Sequence, residues 1–303
     1  MINLSTGAFY ERSTSQIGGL RAQAETLQQQ IGTGERLQRS SDDPVAAARL
    51  RMLARTDRIS QVDTRNSELA EANLALTDET LGSIADLVVR VRELAVQAAS
   101  TTLNDDQRAT IGTEIASLRE NLVLLANSRV ISGHALLGGQ TAGQAYTDNG
   151  TGIDYVGTGG VTPVEIGEGQ SVLPGLTGPD VFNFDTANGP SDLFAVLGNL
   201  AAALATGGAD AISATSAALG ELDAGLEKVT TAQTVIGSRL NWVDLMSERR
   251  EVNAERTADE RSSVGGADIA VTMSRLQETL TVLEASQASF VRLANLSLFS
   301  LLR

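Results

Sequence analysis

Apolar side chains recur along this chain at alternating intervals of three and four, most clearly towards its two ends. Near the start, Tyr10, Ile17, Leu20, Ala24, Leu27 and Ile31 fall on one stripe, with Ser13 in the same register. That spacing lays a single helix face on a partner. Gly32 and Gly34 then supply a stop. The segment SSDDPVAAARL (40–50) reads as a helix start. Ser41 is the expected N-cap, Asp42 and Asp43 suit the positive helix end, and Pro44 suits the first turn. A long helix is predicted from about residue 44 to about residue 100, with a seam of Ile84, Leu87, Val91, Leu94 and Ala98. A third is predicted to about residue 127 through Ile111, Ile115, Leu118, Leu122 and Leu125. Asn104 is its expected cap, with Asp105 and Asp106 in the first turn.

The other end mirrors this. Leu219, Leu222, Leu226, Val229, Gln233, Ile236, Leu240 and Val243 form one long seam, which SSVGGAD around Gly265 and Gly266 interrupts. A last seam follows: Ile269, Met273, Leu276, Leu280, Leu283, Gln287, Phe290 and Ala294. It runs into LSLFSLLR, with Leu296, Leu298, Phe299, Leu301 and Leu302.

The middle breaks the pattern. Between Val130 and Glu227 there is no Lys or Arg, yet this stretch holds 19 of the 29 glycines and four of the five prolines, which marks an insertion between helical arms. Strand-like pieces are expected at 153–156, 161–166 and 171–173, separated by Asp148-Asn149-Gly150, Gly159-Gly160 and Pro174-Gly175. DLFAVLGNLAAALA (192–205) returns to helix. The expected fold is mainly α: a long antiparallel helical bundle or coiled coil built from both chain ends, with a small β-rich central insertion. The expected division is 1–40 with 267–303 as a terminal coiled-coil assembly region, 41–135 with 192–266 as a helical rod, and 136–191 as a small β-rich outer domain.

Composition narrows the function. At 303 residues the chain can bury a sizeable core, and its 3% aromatic content leaves Ala, Leu and Gly to pack helices closely. A net charge of −14 disfavours nucleic acid as partner, because phosphate binding needs a basic stripe. With no cysteine there is neither a disulfide nor a thiolate metal site. The first residues lack a secretory-signal pattern, and no stretch approaches the ~20 apolar residues of a membrane span.

Chemistry is sparse. His134 is the single histidine, and a lone histidine reads as structural or solvated. Asp42-Asp43 and Asp105-Asp106 sit at helix starts, where capping explains them better than acid–base work. GTGG (157–160) and GGQTAG (138–143) lack the Gly-Lys-Ser/Thr of a phosphate loop and read as turns. Trp242 reads as a half-buried helix residue beside Leu240 and Val243. No catalytic residue, cofactor or metal is expected.

Each seam is half an interface. Pairing the terminal helices inside one chain covers one stripe of each. The last helix is also apolar at Val271, Val282, Val291 and Leu293, more than one partner helix covers. The ends are therefore expected to be completed by neighbouring copies, and to order on assembly. The expected assembly residues are Ile17, Leu20, Ala24, Leu27 and Ile31 on the first helix, and Ile269, Met273, Leu276, Leu280, Leu283, Phe290, Leu296, Leu298, Phe299 and Leu301 on the last. Charge permits crowding: residues 1–31 hold two acids and two arginines, and 267–303 three of each.

Over nearly its whole length the sequence resembles the bacterial flagellin superfamily. The resemblance lies in SSDDPVAAARL (40–50), LNDDQRATIGTEIASLRENLVLLANS (103–128), DLFAVLGNLAAAL (192–204), VIGSRLNW (235–242) and LSLFSLLR (296–303). Within that superfamily the Asp-Asp-Pro, Asp-Leu-Phe and Leu-Ser-Leu-Phe stretches are most like the members at the hook–filament junction. A filament-forming flagellin is the alternative, since a leucine-rich ending with a final arginine is also typical there. The chain departs from junction members in ISGHALLGGQTAG (131–143), which lacks their aromatic run. The resemblance implies a secreted, extracellular structural subunit of the flagellum, exported unfolded by the type III pathway. It also implies a homo-oligomeric ring, contacts with a neighbouring hook-associated protein and with the flagellin filament, and an export chaperone at the C-terminal region.

Overall fold

The computed structural model describes residues 2–130, 133–150, 152–186 and 189–301; side-chain surroundings are described for these apart from 2–6, 209, 210 and 294–301. The elements in order are α1 (Ile2–Thr33), α2 (Pro44–Ala98), α3 (Asp105–Ala126), β1 (Tyr146–Asp148), β2 (Ile153–Tyr155), β3 (Val164–Gly167), β4 (Gln170–Val172), α4 (Gly178–Phe182), β5 (Asn183–Thr186), β6 (Gly189–Asp192), α5 (Leu193–Thr206), α6 (Gly208–Gly265) and α7 (Ile269–Leu301). Long helices from both ends pack together, and antiparallel strand pairs occupy the middle, as the sequence pattern predicts.

Helix starts follow from capping chemistry. At α3 the Asn104 side chain accepts from Gln107 N–H at 2.8 Å, and the Gln107 side chain accepts from Asn104 N–H at 3.0 Å, a reciprocal capping box. Asp192 caps α5 by accepting from Ala195 N–H at 2.9 Å. At α2 the cap differs from expectation: Asp43, not Ser41, accepts from Ala46 N–H, at 3.0 Å. Pro44 is the first helical residue, so the residue before it holds the cap position. Asp42 instead accepts from Gln38 and Arg39 N–H groups in the preceding turn. The bond from Ala46 N–H, together with Arg36 nearby, holds the Asp43 carboxyl below its ordinary pKa.

The chain forms two compact units: Met1–Ile59 with Val252–Arg303, and Ser60–Glu251. The second contains one continuous buried core. Leu74, Leu81, Ile84 and Val91 of α2, Ile115 and Leu122 of α3, Leu197 and Leu200 of α5, and Leu222, Val229 and Ile236 of α6 all belong to it. The hairpin region feeds the same core through Leu137, Tyr146, Ile166, Val172 and Phe182. Tyr146, Phe182 and Phe194 meet ring to ring at 4.8 to 5.5 Å.

Among the described residues the strands form three separate antiparallel hairpins, β1–β2, β3–β4 and β5–β6. The piece expected at 161–166 pairs only from Val164, because Pro163 has no N–H to give. The piece expected at 171–173 begins at Gln170 and ends at Val172. β1, β5 and β6 carry no strong strand signal in sequence. Hairpins this short need outside support. Helical side chains supply it to β3–β4: Asn66 donates to Glu165 O at 2.9 Å, Arg250 to Ile166 O and Arg239 to Gly175 O, both at 2.5 Å.

Candidate assembly interface

The first unit places α1 antiparallel to α7. Tyr10 meets Phe290 edge to face at 5.5 Å near one end. At the other, Glu35 bridges Gly266, Arg36 N–H donates to Gly265 O at 2.8 Å, and Ala267 N–H to Gly34 O at 2.9 Å. The chain breaks after α1 and before α7 are therefore tied together. Arg49 adds a two-pronged pair to Glu260, at 2.5 and 2.9 Å, which holds the Glu260 carboxyl below its ordinary pKa.

On α1 the expected stripe faces inward: Ala24 and Leu27 are buried, and Tyr10, Ile17, Leu20 and Ile31 half-buried. On α7 the expected stripe divides. Leu276, Leu283 and Phe290 are half-buried, while Ile269, Met273 and Leu280 are exposed. The inward face instead includes Thr272 and Thr279, both buried, with Ser286 and Gln287 half-buried. Sequence reasoning missed the threonines because they are polar. Their hydroxyls donate to the carbonyls of Asp268 and Arg275, at 2.7 and 2.8 Å, so burial leaves no unmet donor. Leu296, Leu298, Phe299 and Leu301 lie in α7 with side chains outside the described residues; Leu302 lies outside them altogether.

Apolar residues of α7 stay exposed on both flanks of its inward stripe. Ile269, Val271, Met273, Leu280, Val282, Val291 and Leu293 are all exposed. Ile269, Met273, Leu280 and Val291 share one flank, and Val271, Val282 and Leu293 the other; exposed apolar surface on this scale marks an interface. A groove beside it is lined by Phe9, Ser13, Ile17, Ser286, Phe290 and Leu293.

Elsewhere the described residues offer little chemistry. His134 lies exposed in its loop, and no cluster of three His, Cys, Asp or Glu that would hold a metal occurs among the described residues. Tyr146 is buried, which pushes its hydroxyl pKa up; it packs against Tyr155 and Phe182 rather than facing a cleft. The Asp105-Asp106 pair sits at the α3 start, where Asp105 pairs with Arg108 at 3.2 Å. Trp242 is more exposed than expected. No helix among the described residues is long and apolar enough to cross a membrane.

Residues 4–142 match the family model described as the bacterial flagellin N-terminal helical region. More particularly, the chain is similar to flagellar hook-associated protein 3 of Escherichia coli, 27% identical over 99% of both chains. It is likewise 27% identical to flagellar hook-associated protein 3 of Salmonella typhimurium over 100% of both. A flagellar filament core protein of Treponema maltophilum is 22% identical over 95% of this chain and 94% of its own. Among solved structures, Xanthomonas campestris FlgL aligns with a TM-score of 0.63 at 18% identity, covering 69% of this chain and 99% of that one. The flagellar junction protein FlgL of Legionella pneumophila aligns at 0.61 and 15%, covering 72% and 99%. These structures share the fold.

Proposed function

We propose that this chain is a structural subunit of the bacterial flagellum that joins hook to filament. It acts outside the cell, by self-assembly and not by catalysis. The observation that carries this reading is likeness from end to end to hook-associated proteins, stronger than to filament proteins. Residues 1–40 and 267–303 act as the assembly region, 41–135 with 192–266 as the rod and 136–191 as the outer piece. In assembly, neighbouring copies cover the exposed flank of α7 with Ile269, Met273 and Leu280, and the segment with Leu296, Leu298, Phe299 and Leu301. Copies close into a ring between a neighbouring hook-associated protein and the flagellin filament, and an export chaperone holds the C-terminal region beforehand.

Seeded growth separates this from the filament-forming alternative. Purified chain added to filament seeds is expected not to extend them, whereas a flagellin extends them into long polymers. Deleting 270–303 is expected to leave a folded 60–251 unit that fails to join a flagellum. Normal motility on that truncation would sink the reading.

A further inference from the structure

A second unpartnered surface lies away from the terminal pair. On α2, Val45, Met52 and Ile59 repeat every seven residues and are 81%, 61% and 53% exposed, so nothing in their unit covers them. Beside them Arg51, Arg55 and Arg58 stand at i, i+4 and i+7, one helix face. All three are exposed. Among the described residues Arg51 and Arg55 make no ion pair, and Arg58 donates to Ala54 O on its own helix.

On α6, Val235, Trp242 and Leu245 form an exposed apolar stripe at 37%, 37% and 46%. Asp244, Glu248 and Glu251 flank it with the same spacing of four then three. Among the described residues these acids have no cationic partner. Arg249 bounds the stripe and is tied to Glu168 at 3.4 Å.

The two faces are complements. Each has an apolar stripe and a charged flank, basic on α2 and acidic on α6. The flank lies on the same side of the stripe in both, one residue before an apolar position (Arg51 before Met52, Asp244 before Leu245). Flanks on the same side meet when helices run antiparallel. The wider charge agrees: residues 1–59 with 252–303 carry 12 acids and 13 bases, net +1, whereas 60–251 carry 25 acids and 10 bases, net −15. Two 60–251 units repel, and each is drawn to the basic face of α2.

We propose that α2 of one copy docks antiparallel along α6 of a second copy, with Ile59 against Trp242 and Met52 towards Leu245, and Arg51, Arg55 and Arg58 facing Glu251, Glu248 and Asp244 in that order. Apolar seams with charged flanks set partner choice and direction in this way. The contact is heterologous: each copy keeps one free face of each kind, which suits closure into a ring. It rests on the reading of the chain as a self-assembling flagellar subunit.

The chain lacks cysteine, so introduced thiols report alone. Purified full-length Ile59→Cys and Trp242→Cys chains, mixed and oxidised, are expected to give a mixed disulfide dimer in about tenfold excess over the dimers either gives alone. Adding Arg55→Glu and Arg58→Glu to the Ile59→Cys chain should reduce the mixed dimer about tenfold, since like charges then oppose. Adding Asp244→Arg and Glu248→Arg to its partner should restore it. All sites are exposed, and circular dichroism verifies that each variant folds. Absence of the mixed dimer, equal yields from single variants, or no rescue by the second swap overturns the contact. A chain found at the hook junction without the mixed dimer overturns the contact and leaves the flagellar reading intact. The mixed dimer from a chain found elsewhere upholds the contact and overturns that reading.

Discussion

Replacing Leu280 by Asp separates the core a free chain builds for itself from the core it leaves to its neighbours. Leu280 is 38% exposed, so the free chain already covers part of it. Full burial of a leucine contributes ~1.5–3 kcal/mol, so the partial burial lost here amounts to roughly 1–2 kcal/mol. The new carboxylate stays hydrated in the free chain and adds little more. In the assembly it must lose that water without a partner, which costs several kcal/mol. Each ~1.4 kcal/mol is a factor of ten, so incorporation should fall by about a hundredfold or more. Leu27→Asp is the contrast. Leu27 is 8% exposed, and even truncation to Ala at such a site costs ~2–5 kcal/mol. Its charge is buried in the free chain too, so the α1–α7 pair should come apart before any assembly. The assay has two parts: thermal unfolding of purified chains by circular dichroism, and immunoblots of sheared flagella. Leu280→Asp should melt close to wild type and be missing from flagella, and Leu27→Asp should fail both. Leu280→Asp at wild-type levels in flagella would refute the reasoning, as would a free chain destabilised as much as by Leu27→Asp.

Other outcomes follow from the same structure. The continuous core runs from Ala70 to Met246 and includes nothing from α1 or α7, so limited proteolysis of the free chain should cut 7–33 and 269–293 well before 60–251; equal resistance throughout would contradict this. Asn104→Ala removes a capping box and should cost about 1 kcal/mol, read as a lower denaturant midpoint with unchanged slope. Because the folded state depresses the Asp43 and Glu260 pKa values, their stabilisation is present above the ordinary carboxylate range and is lost as pH falls through the depressed values. Acid should therefore loosen α2's start and the Arg49 pair, and Asp43→Asn should flatten that dependence in amide exchange. Gly225→Ala would drive a Cβ into Leu193 and Phe184 and should lower the melting point of the 60–251 unit.

Helices were legible where local signals were strong. Asn104, Asp192 and Pro44 mark starts through bonds and a fixed φ that depend on a few adjacent residues. The seam on α6 was legible as well: Leu222, Val229, Ile236 and Val243 are all buried. The α7 seam misled because two apolar stripes interleave on one helix, and only packing says which faces α1. The choice fell to Thr272 and Thr279, whose hydroxyls are satisfied within the helix. The β3–β4 hairpin was blurred because Asn66, Arg239 and Arg250 hold it from far along the chain. Ser41 was the wrong cap because the proline, not the serine, fixes where α2 begins.

The central claim concerns place. Gold-labelled antibody against this chain, applied to isolated intact flagella and viewed by electron microscopy, tests it directly. The account predicts label in a single band where hook meets filament. Label spread along the filament would make the chain a flagellin, and flagella without label would contradict the account outright.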